Sequence, residues 1–414
     1  LVDEAHNLVP RSREMYSSSL SQAMFQELMA LVKGLPMNPK REINRILDLY
    51  EEFGLELIDV DFIKMETVNE FLLQLVKRLL VKLDQTLTSE KKIPNRSKIM
   101  EAYFALVQFV RIVEFYNDDF IFLLERSEGA ITASIKCLNA SKYIKKTIDD
   151  FAEACHFFSA TLEPIDYYKT LLTDGAGKDV KMPSPFEQNH LLLLAVDSVS
   201  TRYNDRKESV EEIVKVAKCL VQGKKGNYIL FFPSYEYLKM VEENLNFDTS
   251  LIEIIKQTRA MTQKERDTTL MMFKQGSDKT QVGLFVMGGV FGESIDLIGD
   301  MLSGVLIVGV GLPALSPFNN ILRSHYDLSF NSGFDYAYTY PGLNKVIQAV
   351  GRVIRTNTDR GIAILVDDRF NSPKYRRLYP KSWSHLEVIN DLEKINKKIS
   401  KFWSEEKTSE IHDR

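Results

Sequence analysis

The sequence predicts an α/β protein, with a parallel sheet covered by helices in its second half and a helix-rich block in its first. Two observations carry that prediction. Five apolar runs of strand length, Leu191 to Val196, Tyr228 to Phe232, Val282 to Met287, Val305 to Val308 and Ile362 to Val366, alternate with helical patterns. Runs apolar throughout suit strands buried on both faces, as in strand–helix–strand units. Residues 21–115 instead place apolar side chains at i, i+3, i+4 and i+7, the period of helices with one buried stripe.

A chain of 414 residues with 44% apolar and 27% charged side chains has enough apolar surface for two or three cores. No apolar run approaches the eighteen or so residues of a membrane span. A cytoplasmic location is therefore expected, no basic-then-apolar leader opening the chain. Cys137, Cys155 and Cys219 are far apart without Cys-x-x-Cys spacing, which excludes a disulfide framework and predicts three buried thiols. The net charge of −4 does not mark a nucleic-acid binder, but backbone contacts need only a local basic strip.

In chain order, Leu1-Val2-Asp3-Glu4-Ala5-His6-Asn7 is a strand end followed at once by two carboxylates and an imidazole. Ligands of open α/β sheets bind outside the carboxyl ends of strands, so these groups are expected to line a crevice. Beginning without methionine inside a strand, the chain is expected to be part of a longer polypeptide. Asn38 and Pro39 are expected to start a helix as N-cap and N1, with Ile43, Ile46, Leu47 and Tyr50 on one face. Thr67 is expected to cap the next, whose stripe runs Val68, Phe71, Leu72, Leu75, Val76, Leu79, Leu80 and Leu83. A third helix spans about Lys98 to Tyr116. Phe120 to Glu125 and Ile131 to Cys137 predict a hairpin or a strand pair, followed by a helix near Tyr143 to Glu153.

His156-Phe157-Phe158 then leads into Ser159-Ala160-Thr161, small hydroxyl residues past a buried strand that can relay hydrogen bonds. Pro183-Ser184-Pro185-Phe186 is a linker, since proline forces extended backbone. Beyond it the sheet strands alternate with a helix near Val210 to Val221 and one opened by the capping box Thr262 to Glu265. Thr201-Arg202-Tyr203 and Phe231-Phe232-Pro233-Ser234-Tyr235 place cations, hydroxyls and aromatics in loops after strands, chemistry suited to phosphate contact and base stacking. Gly288-Gly289-Val290-Phe291-Gly292-Glu293-Ser294-Ile295-Asp296 is a glycine-rich turn with two acids. In Gln348-Ala349-Val350-Gly351-Arg352-Val353-Ile354-Arg355, a continuing helix would set Gln348, Gly351, Arg352 and Arg355 on one face and Ile347, Val350 and Ile354 on another. Two guanidiniums beside a glycine suit phosphate.

Taken in this order, Asp3-Glu4-Ala5-His6, Ser159-Ala160-Thr161, Pro183 to Phe186, Phe231 to Tyr235, Gly292 to Asp296 and Gln348 to Arg355 resemble the XPD/DinG family of superfamily 2 DNA helicases. Ser294 departs from the glycine usual in that family. The resemblance implies a RecA-like second motor domain at 184–414, a remnant of the first RecA-like motor domain at 1–20 and 120–183, and an all-helical Arch-like insertion at 21–119. It implies ATP and Mg²⁺ as cofactors, with Asp3 on the metal, Glu4 as water-activating base beside His6, and Gln348, Arg352 and Arg355 reaching the γ-phosphate across a cleft. Gly292, Glu293, Asp296 and Gly351 would serve the nucleotide, and Ser159, Ala160 and Thr161 would couple it to DNA. Thr201, Arg202, Tyr203, Ser234 and Tyr235 would contact single-stranded DNA, translocated 5′→3′ in repair or replication.

No Gly-x-x-x-x-Gly-Lys-Ser/Thr loop is present. The cysteines of iron–sulfur members fall upstream of Asp-Glu-Ala-His, so a cluster would lie outside these residues. The alternative expectation is a non-catalytic nucleic-acid-binding or scaffold module that kept the fold. Protein partners are expected at the helical insertion.

Overall fold

The computed structural model describes residues 1–33, 35, 39–89, 93–127, 129–289, 291 and 301–412, with side chains described to 405. Its Cα framework divides into two compact units. The first takes in Leu1–Ser159 and Tyr168–Gly177, the second Ala160–Tyr167 and Lys178–Arg414.

In the first unit, helices Gln22–Leu31, Lys40–Glu56, Glu70–Ser89 and Arg96–Val113 pack on an antiparallel sheet. The sheet comprises β1 (Ser18–Ser21), β2 (Phe62–Met65), β3 (Phe120–Ser127) and β4 (Ala130–Cys137), in the order β1-β4-β3-β2. Residues spaced as on helical faces meet in one core: Ile43, Ile46 and Tyr50 join Leu72, Leu75, Val76, Leu79 and Leu83, Leu106 and Phe109, and Phe122, Leu124 and Ile135 of the hairpin.

Several details differ from expectation. Asn38 lies outside the described residues, and Pro39 stands at the N-cap of Lys40–Glu56. Asn69 rather than Thr67 caps the next helix, its Oδ1 accepting the Leu72 N–H at 2.9 Å, and Phe71 is half exposed because the helix turns that residue off the stripe. The helical block of 21–119 also contains β2, four residues too short to show a strand period. Cys137 and Cys219 are buried, burial pushing the Cys137 thiol up to about 12. Cys155 is only half-buried, because it lies in the connection between helix Ser141–Phe151 and Phe157.

The second unit is built on seven parallel strands: β5 (Leu191–Val196), β6 (Asn227–Phe232), β7 (Ile252–Lys256), β8 (Thr280–Val286), β9 (Gly304–Val308), β10 (Gly361–Val366) and β11 (Glu387–Val388). Their order is β11-β5-β10-β9-β6-β8-β7. Alternate residues feed two cores. Leu230, Leu306 and Ile364 enter one with helix Arg206–Gln222, while Ile229, Ile307 and Leu365 enter the other with Leu343, Val346 and Ile347. Every strand position in the middle of the sheet is thus buried, which explains why the runs are apolar without alternation. The edge strands β7 and β11 escape sequence reading: β7 is half-polar and β11 has two residues.

Among the described residues no helix is long and apolar enough to cross a membrane.

Candidate functional site

In the first unit the Asp-Glu-Ala-His stretch and Ser159, the first residue of Ser-Ala-Thr, follow two neighbouring parallel segments. Val2 bridges Phe157: the Val2 N–H donates to His156 O at 2.8 Å and the Phe158 N–H to Val2 O at 3.0 Å. The chain then turns sharply at Glu4, whose backbone is left-handed (φ 48°). A side chain held there costs about 1–3 kcal/mol, a conformation kept mostly at functional positions.

The turn brings three side chains together across 153 positions of sequence. His6 Nδ1 lies 2.8 Å from Ser159 Oγ. Ser159 Oγ donates to Glu4 Oε2 at 3.2 Å, and His6 Nδ1 lies 3.3 Å from the same oxygen. A hydroxyl has one proton. Given to Glu4, it leaves the oxygen to accept from His6 Nδ1–H, so the network selects that tautomer. Asp3 is exposed, and its carboxylate accepts the Glu4 N–H at 2.7 Å. Ala160 is exposed and Thr161 buried.

In the second unit, helix Tyr340–Val350 follows β9 and precedes β10. Its seating depends on two glycines. Gly311 (φ 70°) and Gly342 touch backbone to backbone, so a Cβ on Gly311 would stand 2.5 Å from Gly342 O.

The helix stops earlier than the periodicity predicts. It ends at Val350 with Gly351 as C-cap, so Gln348, Gly351, Arg352 and Arg355 do not share one continuous helical face. Val353 and Ile354 turn into the core instead, 2% and 8% exposed. Arg352 is buried at 8% exposure, whereas Gly351 and Arg355 are exposed and Gln348 is half-buried.

Asp359 holds the loop beyond the helix. Its carboxylate accepts the Arg355 N–H at 2.7 Å, the Thr356 N–H at 2.8 Å and the Thr356 hydroxyl. Of the glycine-rich turn, Gly292, Glu293 and Asp296 lie outside the described residues. Its opening Gly288 (φ 72°) sits against Lys345, one helical turn before Gln348.

The loops expected to meet nucleic acid converge at the carboxyl ends of β5, β6 and β10. Thr201 is buried, its N–H and hydroxyl both donating to Asp367. Arg369 grips the same carboxylate in a fork, Nε to Oδ1 at 2.6 Å and Nη2 to Oδ2 at 2.8 Å. Burial alone would raise Asp367, but the hydrogen bonds and charge of Arg369 with the Thr201 hydroxyl hold it below the usual carboxylate range. Arg202 is exposed and donates to Asp368 at 2.6 Å and Ser200 at 3.0 Å.

Tyr203 is 81% exposed. The Arg206 guanidinium lies between it and Tyr237, 5.3 and 5.0 Å from the two ring centroids. It also reaches Ser234 Oγ at 3.5 Å, and its buried Nε–H has no hydrogen-bond partner in the protein. Ser234 itself caps helix Tyr235–Glu242. Tyr235 packs under the Arg259 guanidinium at 5.4 Å. A cation held between two rings beside an exposed tyrosine suits phosphate contact, and exposed Tyr203 suits a base.

Sequence reading missed Arg206, Asp359, Asp367 and Arg369. Asp367 was within reach of the rule applied to Asp3, since it too follows a buried apolar strand directly. The other three act through partners that no local pattern records.

Residues 218–386 match the helicase C-terminal domain family. The helicase subunit XPD of general transcription and DNA repair factor IIH from Arabidopsis thaliana is 30% identical over 271 residues, covering 61% of this chain and 35% of the relative. The ATP-dependent DNA helicase YoaA of Escherichia coli is 22% identical over 395 residues, covering 89% of this chain and 59% of the relative. These shares mean that the chain spans about a third to three-fifths of the length of these curated relatives. Among solved structures, S. tokodaii Xpd4 superposes with a TM-score of 0.61 at 16% identity, over 94% of this chain and 74% of that one. An apo XPD structure gives 0.59 at 20% identity, over 94% and 76%.

Proposed function

The chain belongs to the XPD/DinG family of superfamily 2 helicases, and from that premise we propose that the protein is an ATP-dependent DNA helicase translocating 5′→3′ on single-stranded DNA in repair or replication. The observation that carries the reading is the Glu4–Ser159–His6 triangle. It ties the residue suited to activate water to a second motif through one hydroxyl, as a nucleotide-to-DNA relay requires.

In this reading Glu4 orients and deprotonates the attacking water, and His6 and Ser159 hold its carboxylate in place. Gln348, Arg352 and Arg355 bind the γ-phosphate, with Asp359 fixing the backbone of Arg355. Buried Arg352 meets phosphate in a low-dielectric setting, where charge-assisted contacts are strong. Gly292, Glu293, Asp296 and Gly351 serve the nucleotide, and Ala160 and Thr161 extend the relay.

Among the described residues no group of three or more metal-ligating side chains gathers. Mg²⁺ bound with a nucleotide takes one or two carboxylates and completes its shell with phosphates and water, so exposed Asp3 fits it. When bound, it neutralises phosphate charge. Thr201, Arg202, Tyr203, Ser234 and Tyr235 take the DNA strand together with Arg206.

The motor reading assigns 184–414 to the second RecA-like domain, 1–20 and 120–183 to the first and 21–119 to the Arch-like insertion, a surface for protein partners. We group the hairpin of β3 and β4 with that insertion, because Phe122, Leu124 and Ile135 share its core. A second reading is a nucleic-acid-binding module without turnover, which the Arg206 cation held between Tyr203 and Tyr237 would serve equally well.

The experiment is ATP hydrolysis with and without single-stranded DNA, in this chain and in the protein at its natural full length. Stimulation at full length supports the motor. DNA binding without hydrolysis in either supports the module.

A further inference from the structure

Helix Pro317–Phe330 closes on Asn331 in the left-handed conformation, and the chain re-enters a helix containing a π segment, Asp335–Thr339. Pro341 accounts for the wide turn. It has no N–H to bond the carbonyl four residues back, and π segments occur often at functional positions.

Phe334 stands at the start of that segment, 40% exposed. Its ring stacks on Tyr338 (centroids 5.2 Å, planes 27° apart), and Tyr338 is fixed by its hydroxyl donating to Asn320 Oδ1 at 2.9 Å. Two cations approach the Phe334 ring, Arg323 at 5.7 Å and Lys374 at 5.5 Å. Asp327 and Asp335 hold them there by ion pairs, but both cations remain about half exposed. Pairs so exposed are weak, and the cations can transfer to a stronger anion.

The Phe334 ring, backed by buried Tyr338, keeps part of its surface exposed beside the two cations. The chemistry is that of a stacking platform beside phosphate ligands. The platform is also continuous with the Thr201 cluster. Arg369 and Lys374 lie five residues apart in sequence, and Tyr375, next after Lys374 and with its hydroxyl pushed up to about 12 by burial, feels Arg369, Asp367, Asp335 and Arg202 together.

We propose that Phe334, supported by Tyr338, stacks a base of single-stranded nucleic acid while Arg323 and Lys374 take the adjoining phosphates. The proposal rests on the nucleic-acid reading of the protein and adds a second contact point to the Tyr203–Arg206 loop.

The test is fluorescence anisotropy at fixed salt with a labelled oligothymidylate and an abasic strand of equal length. Phe334→Leu keeps bulk and removes the ring; its affinity for oligothymidylate should fall about 5- to 150-fold while the abasic strand binds as to wild type. Phe334→Trp should bind both strands at least as well as wild type. Arg323→Gln and Lys374→Gln should weaken both strands and each lower the salt slope by about 0.7. Melting curves confirm folding, and the Trp and Gln variants carry the test if the Leu variant does not fold. Wild-type affinity of Phe334→Leu for oligothymidylate, or equal losses on both strands, overturns the stacking site and leaves the helicase reading standing. Failure of the wild-type protein to bind either strand overturns both.

Discussion

Replacing Asp367 by asparagine isolates the joint on which the nucleic-acid loops are built. The carboxylate has no exposed surface and accepts five donors: the Thr201 N–H and hydroxyl, the Arg369 N–H, Nε and Nη2. Asparagine keeps one acceptor oxygen and turns an amide donor against donors, leaving the Arg369 charge without its partner. Removing one member of a buried pair costs about 3–5 kcal/mol. With the Arg369 side chain 22% exposed, some charge is recovered by water and the lower end applies, about 3 kcal/mol. For a unit of this size that is a fall of about 6–12 °C in Tm.

Calorimetry at neutral pH should show the loss in one of two transitions. Acid should erase the difference. A folded carboxyl held below its unfolded value of about 3.9 contributes stability above that pH and loses it as the pH falls through the folded value, so the difference between the two proteins should begin to shrink below about pH 4 and close only once the pH has fallen past the depressed folded value. Affinity for single-stranded DNA should fall too, as Thr201 and Arg369 release the loop that carries Arg202 and Tyr203. A variant with unchanged Tm at neutral pH would refute the reasoning.

Arg352→Ala, assayed at full length, should lower DNA-stimulated turnover by about 10³-fold or more while single-strand affinity stays near wild type; unchanged turnover removes the phosphate role. Arg352→Lys should not rescue, because an ammonium lacks the planar fork. Ser159→Ala removes one of the two groups holding the Glu4 carboxylate and should lower DNA-stimulated hydrolysis more than DNA-independent hydrolysis, and a stimulation ratio equal to wild type would show that the hydroxyl relays nothing. Asp359→Ala leaves the Arg355 and Thr356 N–H groups unpaired and should cost about 1–3 kcal/mol in chemical denaturation, with KM for ATP rising. Gly311→Ala should destabilise the second unit by about 1–3 kcal/mol, since the new Cβ meets Gly342 O at 2.5 Å; a neutral result would mean that the two backbones separate freely.

The sequence by itself determined the fold class and the order of the chemistry. Strands β5, β6, β8, β9 and β10 are legible because a strand buried on both faces has no room for polar residues, and the helices because one stripe must face a core. Asp3, Glu4 and the arginine-rich stretch stand out in the sequence as candidates because strand ends and helix ends are where ligands meet such sheets.

Tertiary structure alone decided what these residues touch. The His6–Ser159 and Thr201–Asp367 contacts join positions 153 and 166 apart, and no periodicity carries information over that distance. The same cause ended helix Tyr340–Val350 early: local spacing favoured another turn, but burying Val353 and Ile354 and satisfying the loop through Asp359 outweighed it. Arg206 read as an ordinary helix-start arginine, and only the approach of Tyr203 from one side and Tyr237 and Ser234 from the other made it a candidate phosphate ligand.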